Sequence, residues 1–385
     1  MIRFVLLACV SLTLALISSG CTDFVEPNQL AGVLGTAIDH GEDGMIEVSH
    51  QIVIPSQLEG PSKGGGSGNS NPFLVMSATG QDVFQATQKI QFKMSRRLIT
   101  NHRSIIAISE EYFRRNDVRK LFDKLFRDPA NNLRDIIVLI KGSSAKEFIM
   151  LKHPIESLSS IGAAKELQIN GMSGFSSRQF LIDSFLKGSR PLIPVLQIES
   201  LKRSPKKTDP TALLSGFAVL DHNLKIKGLL DVEEGSGALW MMGKGTYHGA
   251  TVPWKNGIVS LRLTQLHRRI SSAAGQDPKR IVLTVKAQAY LLENSSQRDM
   301  SEADNMVELQ KGINEQIQKE LQGTIDKVQR WGPDVFGIGE YLHRQNPYWW
   351  KSQEDDWDEK FKNIDVSVKA DILLRSTGVS GAPLK

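Results

Sequence analysis

An uncharged run at the start of the chain, closed by a cysteine, constrains everything that follows it. Arg3 supplies a positive end, Phe4 to Ile17 carry no charge, and Ser18, Ser19 and Gly20 lead into Cys21. That is the anatomy of an export leader with a processing site, and a cysteine directly after small residues is where a bacterial lipoprotein takes its diacylglyceryl group. At about 14 residues the run falls short of the roughly 20 that cross a bilayer as a helix. The expectation is a leader over 1–20, removed to leave Cys21 as the first residue, carrying diacylglycerol with or without an N-acyl chain. One acyl chain binds a membrane marginally, and two or three hold it stably. The lipobox departs from the commonest form, with Ser18 where Leu is usual and Ile17 one step earlier. Residues 21–29 then form a lipid-anchored tether, and the rest folds outside the cytoplasm against a membrane surface.

Cys9 lies in the leader, so a chain beginning at Cys21 keeps no free thiol for a disulfide or a metal site. Stability must come from packing. Residues 21–385 are enough for two or three domains, and 40% hydrophobic with 23% charged residues supports buried cores. The formal charge of +5 is mild for this length. The arginine pairs at 96–97, 114–115 and 268–269 are scattered, so no basic stripe for nucleic acid is expected.

Leu30 to Asp39 and Met45 to Ile54 read as a strand pair. Glu59 to Pro72 places Gly64, Gly65, Gly66 and Gly68 among Ser and Asn; Lys63 precedes the glycines, so this is a hairpin tip rather than a phosphate-binding loop. From Thr79, which with Asp82 resembles a capping box, strands at Ser104–Ile108, Asp135–Ile140 and Leu192–Ile198 alternate with helical patterns around Val83–Met94, Val118–Phe126, the capping-box pair Ser144 and Glu147, and Phe180–Phe185. The alternation over 75–150 predicts an α/β unit within an N-terminal region spanning 30–199. Ser200 to Pro210 is charged and Pro-bounded and is expected to be a linker. Beyond it, over 211–385, strands are predicted at Gly216–Leu220, Leu224–Leu230, Ile258–Leu263 and Ile281–Leu291. Met306, Leu309, Ile313, Ile317, Leu321, Ile325 and Val328 share one face of a helix over Ser301–Arg330, and Asp365–Leu373 alternates as a closing strand. The fold class is α+β and multidomain, in two evident halves, the second a mostly antiparallel sheet crossed by one long helix.

The succession Gly216-Phe-Ala-Val-Leu220, Lys225-Ile-Lys-Gly228, Trp240, Asp334-Val-Phe-Gly-Ile-Gly339, His343-Arg344, Pro347 to Trp350, Trp357 and Phe361 resembles the Ger(x)C family, the C-subunit lipoproteins of spore-germination nutrient receptors. In the first half the likeness rests on the lipobox cysteine, Val33 to Asp39, Pro55, Arg97, His102, Arg127-Asp-Pro129 and Arg134. It departs at Thr22-Asp23, where members often have Trp-Asp. The resemblance implies three lobes and a non-enzymatic subunit of a complex with two integral-membrane partners, the A and B subunits. It also implies a place on the outer face of the cell membrane, which is the inner membrane of the spore.

The residues themselves support no catalytic or metal site. Gly171-Met-Ser173-Gly174-Phe175 lacks the second glycine of a nucleophile elbow, and no His-Glu-x-x-His pair occurs. No cofactor beyond the lipid on Cys21 is expected. Trp331, Trp349, Trp350 and Trp357 cluster among charges near the C-terminus. Tryptophan is favoured both in cores and in contact hot spots, and if the stretch is extended, Trp349 and Trp350 point to opposite sides and one is exposed. Trp349, Trp350, His343 and Arg344 are therefore the candidate partner contacts. Two other readings compete with a receptor subunit: a lipoprotein that itself binds a small germinant such as an amino acid or sugar, and a cell-envelope hydrolase.

Overall fold

The computed structural model of the chain describes residues 3–4, 25–57, 71–127, 131, 133–204, 207–245, 248–272 and 280–376. Cys21 and nearly all of the leader lie outside these residues, as does most of the glycine-rich segment.

The first sheet is built from β1 (Leu30–His40), β2 (Ile46–Val53), β3 (Phe73–Gly80), β4 (Arg97–Ile99), β5 (Ile105–Ser109), β6 (Ile136–Lys141), β7 (Leu192–Ser204), β8 (Lys207–Leu220) and β9 (Ile226–Leu230). Its order is β3-β2-β1-β5-β6-β7-β8-β9, with short β4 beside the start of β1. The four central strands, β1, β5, β6 and β7, are parallel, and an antiparallel pair closes each side. The centre is dictated by composition. Ile105 to Ile108 and Ile136 to Ile140 contain no polar residue and are buried throughout, as parallel strands covered on both faces require.

Helices α1 (Val83–Gln91), α2 (Glu110–Arg115), α3 (Arg119–Arg127), α4 (Ala145–Met150), α5 (Ser159–Leu167) and α6 (Ser177–Phe185) supply that cover. Successive strand residues alternate between two cores: Ile106, Ile108, Ile137 and Leu139 pack with residues of α1 to α3 and α6, and Ile105, Ala107, Val138 and Ile140 with those of α4 and α5. The expected capping box is present at Ser144 and Glu147. At α1 the cap is Asp82, which accepts from Gln85 N at 2.8 Å, and Thr79 belongs to β3.

The described residues of the segment expected as a linker, 200–204 and 207–210, are instead the ends of β7 and β8, paired with Ser200 opposite Pro210 and Lys202 opposite Thr208. Their charges conceal the strand pattern because these strand ends are largely exposed. Gly216–Leu220 and Leu224–Leu230, predicted as strands of the second half, accordingly belong to β8 and β9 and complete the first sheet, the second strand starting at Ile226.

After α7 (Val232–Met241), the strands β10 (His248–Trp254), β11 (Gly257–Ser272), β12 (Arg280–Asn294) and β13 (Asp365–Ser376) form the second sheet in that order. It is antiparallel except for the β12–β13 pair. α8 (Ala303–Trp331) crosses it as the spacing predicts, burying Leu309, Ile313, Ile317, Leu321, Ile325 and Val328. The core of this sheet is continuous with the α4–α5 side of the first.

β13 is an edge strand, and edge strands expose unpaired backbone groups. α8 runs antiparallel beside it and satisfies them with a row of amide side chains. Gln310 Oε1 accepts from Leu374 N at 2.9 Å, Asn314 Oδ1 from Ile372 N at 2.8 Å, Gln318 Oε1 from Ala370 N at 3.4 Å and Gln322 Oε1 from Val368 N at 2.8 Å. Asn314 and Gln322 also donate to Ile372 O and Val366 O. The register works because four helical residues rise about 6 Å and two strand residues about 6.6 Å. Asn314→Ala removes both bonds to Ile372, each worth about 1 kcal/mol net. Denaturant titration is expected to show a loss of about 2 kcal/mol, against a change under about 0.5 kcal/mol for the exposed Lys311→Ala.

Candidate functional site

α8 ends at Gly332, whose φ of +106° only glycine takes without strain and whose N–H donates to Val328 O at 3.0 Å. Pro333 follows and prevents continuation. The next side chain, Asp334, is completely buried. Its carboxylate accepts from Phe336 N at 3.0 Å, Gly339 N at 2.7 Å and Trp357 Nε1 at 3.1 Å. Burial pushes this carboxyl above the usual carboxylate range, while the N–H donors and the nearby Arg190 charge oppose the shift. One side chain thus closes the turn from which α9 (Ile338–Gln345) starts and ties that turn to α11 (Trp357–Phe361). Short α10 (Pro347–Lys351) lies between the two.

The segment between α6 and β7 meets this turn from the first sheet. Arg190 N donates to Asp334 O at 2.8 Å, and Gly188 and Glu340 exchange two bonds, Gly188 N to Glu340 Oε1 at 2.9 Å and Glu340 N to Gly188 O at 3.1 Å. The backbones touch: a Cβ on Gly188 would lie 2.4 Å from Gly339 C, and one on Gly339 would lie 2.6 Å from Gly188 Cα. Arg190 is buried and forms an ion pair with Asp358 at 2.6 Å, while its guanidinium donates to Leu186 O, Lys187 O and Ser189 O. Asp358 also accepts from His222 N at 3.3 Å, which brings in the β8–β9 turn. Further out, Lys187 pairs with Glu354 at 2.8 Å and Asp355 at 3.1 Å, and Lys244 with Asp183 at 3.3 Å. A buried charge pair needs its remaining hydrogen-bonding capacity met; here Arg190 Nη1 reaches three backbone carbonyls, while Arg190 Nε and Asp358 Oδ1 face each other as an ion pair without hydrogen-bond geometry.

The tryptophan cluster divides between interior and surface, but not as the extended reading predicts. Residues 347–351 are helical, and Trp350 is the buried one, 1% exposed, stacked on His343 at 5.9 Å and edge-on to Trp357 at 4.9 Å. Trp350 is therefore interior and leaves the set of partner contacts. Trp349 is half-buried against the same core, while His343 and Arg344 are exposed on α9. Tyr348, which the sequence reading did not select, is 93% exposed. Its position before two tryptophans in a Pro-started helical turn was the available signal.

The remaining candidates separate from this joint. Ser173 follows a kinked helical turn (Gln168–Met172) with Gly171 at φ +86°, which is not the strand-to-helix turn of a nucleophile elbow. Among the described residues, no three His, Cys, Asp or Glu side chains are grouped to hold a metal ion. The Asp334 carboxylate is closed to solvent and engaged by three N–H donors, which is the arrangement of a fixed joint. Gly188, Arg190 and Asp358 were missed in the sequence because each acts across the fold rather than in a local pattern. Asp334→Ala strands three N–H donors and is expected to lower unfolding free energy by about 3 kcal/mol. Gly188→Ala forces the two backbones apart and is expected to cost a similar amount, about 3 kcal/mol. Tyr348→Ala, outside the joint, should change it by less than about 0.5 kcal/mol. Equilibrium unfolding in urea checks all three.

Comparison with known proteins places these motifs. Residues 23–198 match the family described as spore germination protein N-terminal domain, and residues 215–378 match that described as spore germination B3/GerAC like, C-terminal. The chain is 26% identical to spore germination protein KC of Bacillus subtilis (strain 168), covering 100% of this chain and 98% of that protein. It is 27% identical to the putative spore germination protein YfkR of the same organism, covering 97% and 95%. The fold is similar to that in the crystal structure of the GerBC protein, with a TM-score of 0.54 and 17% identity over 89% of this chain and 96% of that one. The chain belongs to the Ger(x)C family of spore germination proteins.

Proposed function

We propose that this chain is the lipid-anchored, non-catalytic C subunit of a nutrient germinant receptor, acting by contact with two integral-membrane partners, the A and B subunits. The observation that carries the reading is the match of both family regions across the chain, with the motif residues Asp334, Gly339, Trp350 and Trp357 engaged in an interior joint. Residues engaged in this way leave contact to the surface around them, and Tyr348, Arg344, His343 and half-buried Trp349 supply that surface. Among the described residues no helix is long and apolar enough to cross a membrane. Attachment falls to Cys21, on the outer face of the spore inner membrane.

The mechanism is placement. A lipid on Cys21 confines the folded chain to the membrane plane and raises its effective concentration beside integral partners, so modest contact energy suffices for assembly. A binding role of its own has one supporting observation, a cleft of about 680 Å³ beside α1 and α3 with Tyr112, Asn116 and Lys120 in its lining; calorimetry of the purified chain with amino acids and sugars tests it.

Cys21→Ala is expected to shift the protein from the membrane to the soluble fraction of spore lysates, or to deplete it, with its melting temperature unchanged. Full membrane retention with normal germination contradicts the anchor. Tyr348→Ala combined with Arg344→Glu is expected to reduce co-purification of two integral-membrane proteins while leaving the chain folded.

A further inference from the structure

The end of the first sheet where the tether enters carries an apolar and basic surface that no other part of the described chain covers. β4 runs parallel to the first residues of β1, with Arg97 opposite Leu30. The loop from α1 into β4 is fixed by backbone bonds from Lys93 N to Ile90 O and Met94 N to Gln91 O and by the Gln91 side chain, which donates to Arg96 O at 3.0 Å and accepts from Leu98 N at 2.8 Å. On this fixed loop Phe92 stands 86% exposed, and Lys93, Arg96 and Arg97 are exposed beside it. Among the described residues no carboxylate pairs with these three cations. A groove of about 500 Å³ next to the loop is lined by Pro27, Leu30, Ile54, Leu74 and Met94, and Leu74 is 42% exposed.

Chain length says what meets this surface. Only four peptide steps separate Cys21 from Val25, a span of at most about 14 Å when fully extended. If Cys21 carries lipid, Val25 is held within that distance of the headgroups, and the start of β1 at Leu30, five residues on through the turn Pro27–Gln29, is held on the same side together with the loop paired to it. An aromatic ring flanked by basic side chains is the composition that enters the headgroup layer and attracts anionic lipid. We infer that the 92–97 loop with Leu74 is a membrane-docking face: Phe92 enters the headgroup region, and Lys93, Arg96 and Arg97 engage the phosphates of an anionic bilayer. This inference rests on the anchored reading above. It deepens that reading by fixing orientation, since the joint and Tyr348 then stand on a body docked by its β1 end.

The test uses the chain from Cys21 to Lys385, whose single thiol is coupled to a maleimide lipid in vesicles, so the result is independent of natural lipidation. Acylation of surface amines is followed by mass spectrometry on vesicles of phosphatidylcholine alone or with phosphatidylglycerol. Labelling of Lys93 is expected to fall several-fold on the anionic vesicles relative to the untethered chain, while that of Lys311 on α8 stays constant. Changing Phe92, Arg96 and Arg97 together to Ser is expected to restore it, with circular dichroism unchanged. Equal labelling of Lys93 with and without anionic lipid overturns the proposal. Protection that requires integral-membrane proteins in the vesicles also overturns it, and assigns the face to a protein partner. Failure of the anchor itself is read separately, in the fractionation of Cys21→Ala.

Discussion

A carboxylate with no access to water organises the C-terminal half. Asp334 can remain buried only because two backbone amides and the Trp357 indole donate to it, and each of those donors belongs to a segment that would otherwise have no reason to stop where it does. The turn after α8, the start of α9 and the position of α11 follow from this one set of bonds. Its backbone carbonyl receives Arg190 from the first sheet, and Arg190 in turn fixes Asp358. The approach of Gly188 to Gly339 is the steric counterpart: polar groups are matched and there is no room for a side chain between them. The two sheets therefore meet through fitted polar groups around a shared apolar core.

The second constraint is the exposed edge of β13. A parallel partner on one side leaves the other side of the strand unpaired, and α8 answers with Gln310, Asn314, Gln318 and Gln322 at intervals of four. The apolar spacing of α8 was legible in the sequence, and so was the alternation in β13. The amide row was equally regular, yet a helical stripe of Gln and Asn reads as a solvated face unless a strand is known to lie beside it.

What the sequence made legible depended on local repetition. The central apolar strands, the long helix and the capping box at Ser144 follow from spacing alone, and they are found where predicted. The pairing of 200–204 with 207–210 was not legible, because a strand pair extending beyond its core carries solvent-facing charges like a linker. The pair Trp349–Trp350 was misread for a related reason: Pro347 starts a helical turn as readily as it precedes an extended stretch. Gly188, Arg190 and Asp358 were out of reach because their partners lie on the other half of the chain. The family motifs pointed to the right segment of the joint but carried no indication that it faced inward.

Under the proposed attachment at Cys21, halves fused at such a joint would carry orientation from the β1 end to the far surface. Were the halves independent, docking of β1 would say nothing about where Tyr348 stands. Scanning calorimetry of residues 21–385 tests that unity most directly. The account expects one cooperative transition with calorimetric and van't Hoff enthalpies in agreement, splitting into two when Asp334 is changed to Ala. Two separate transitions in the unaltered chain would contradict it.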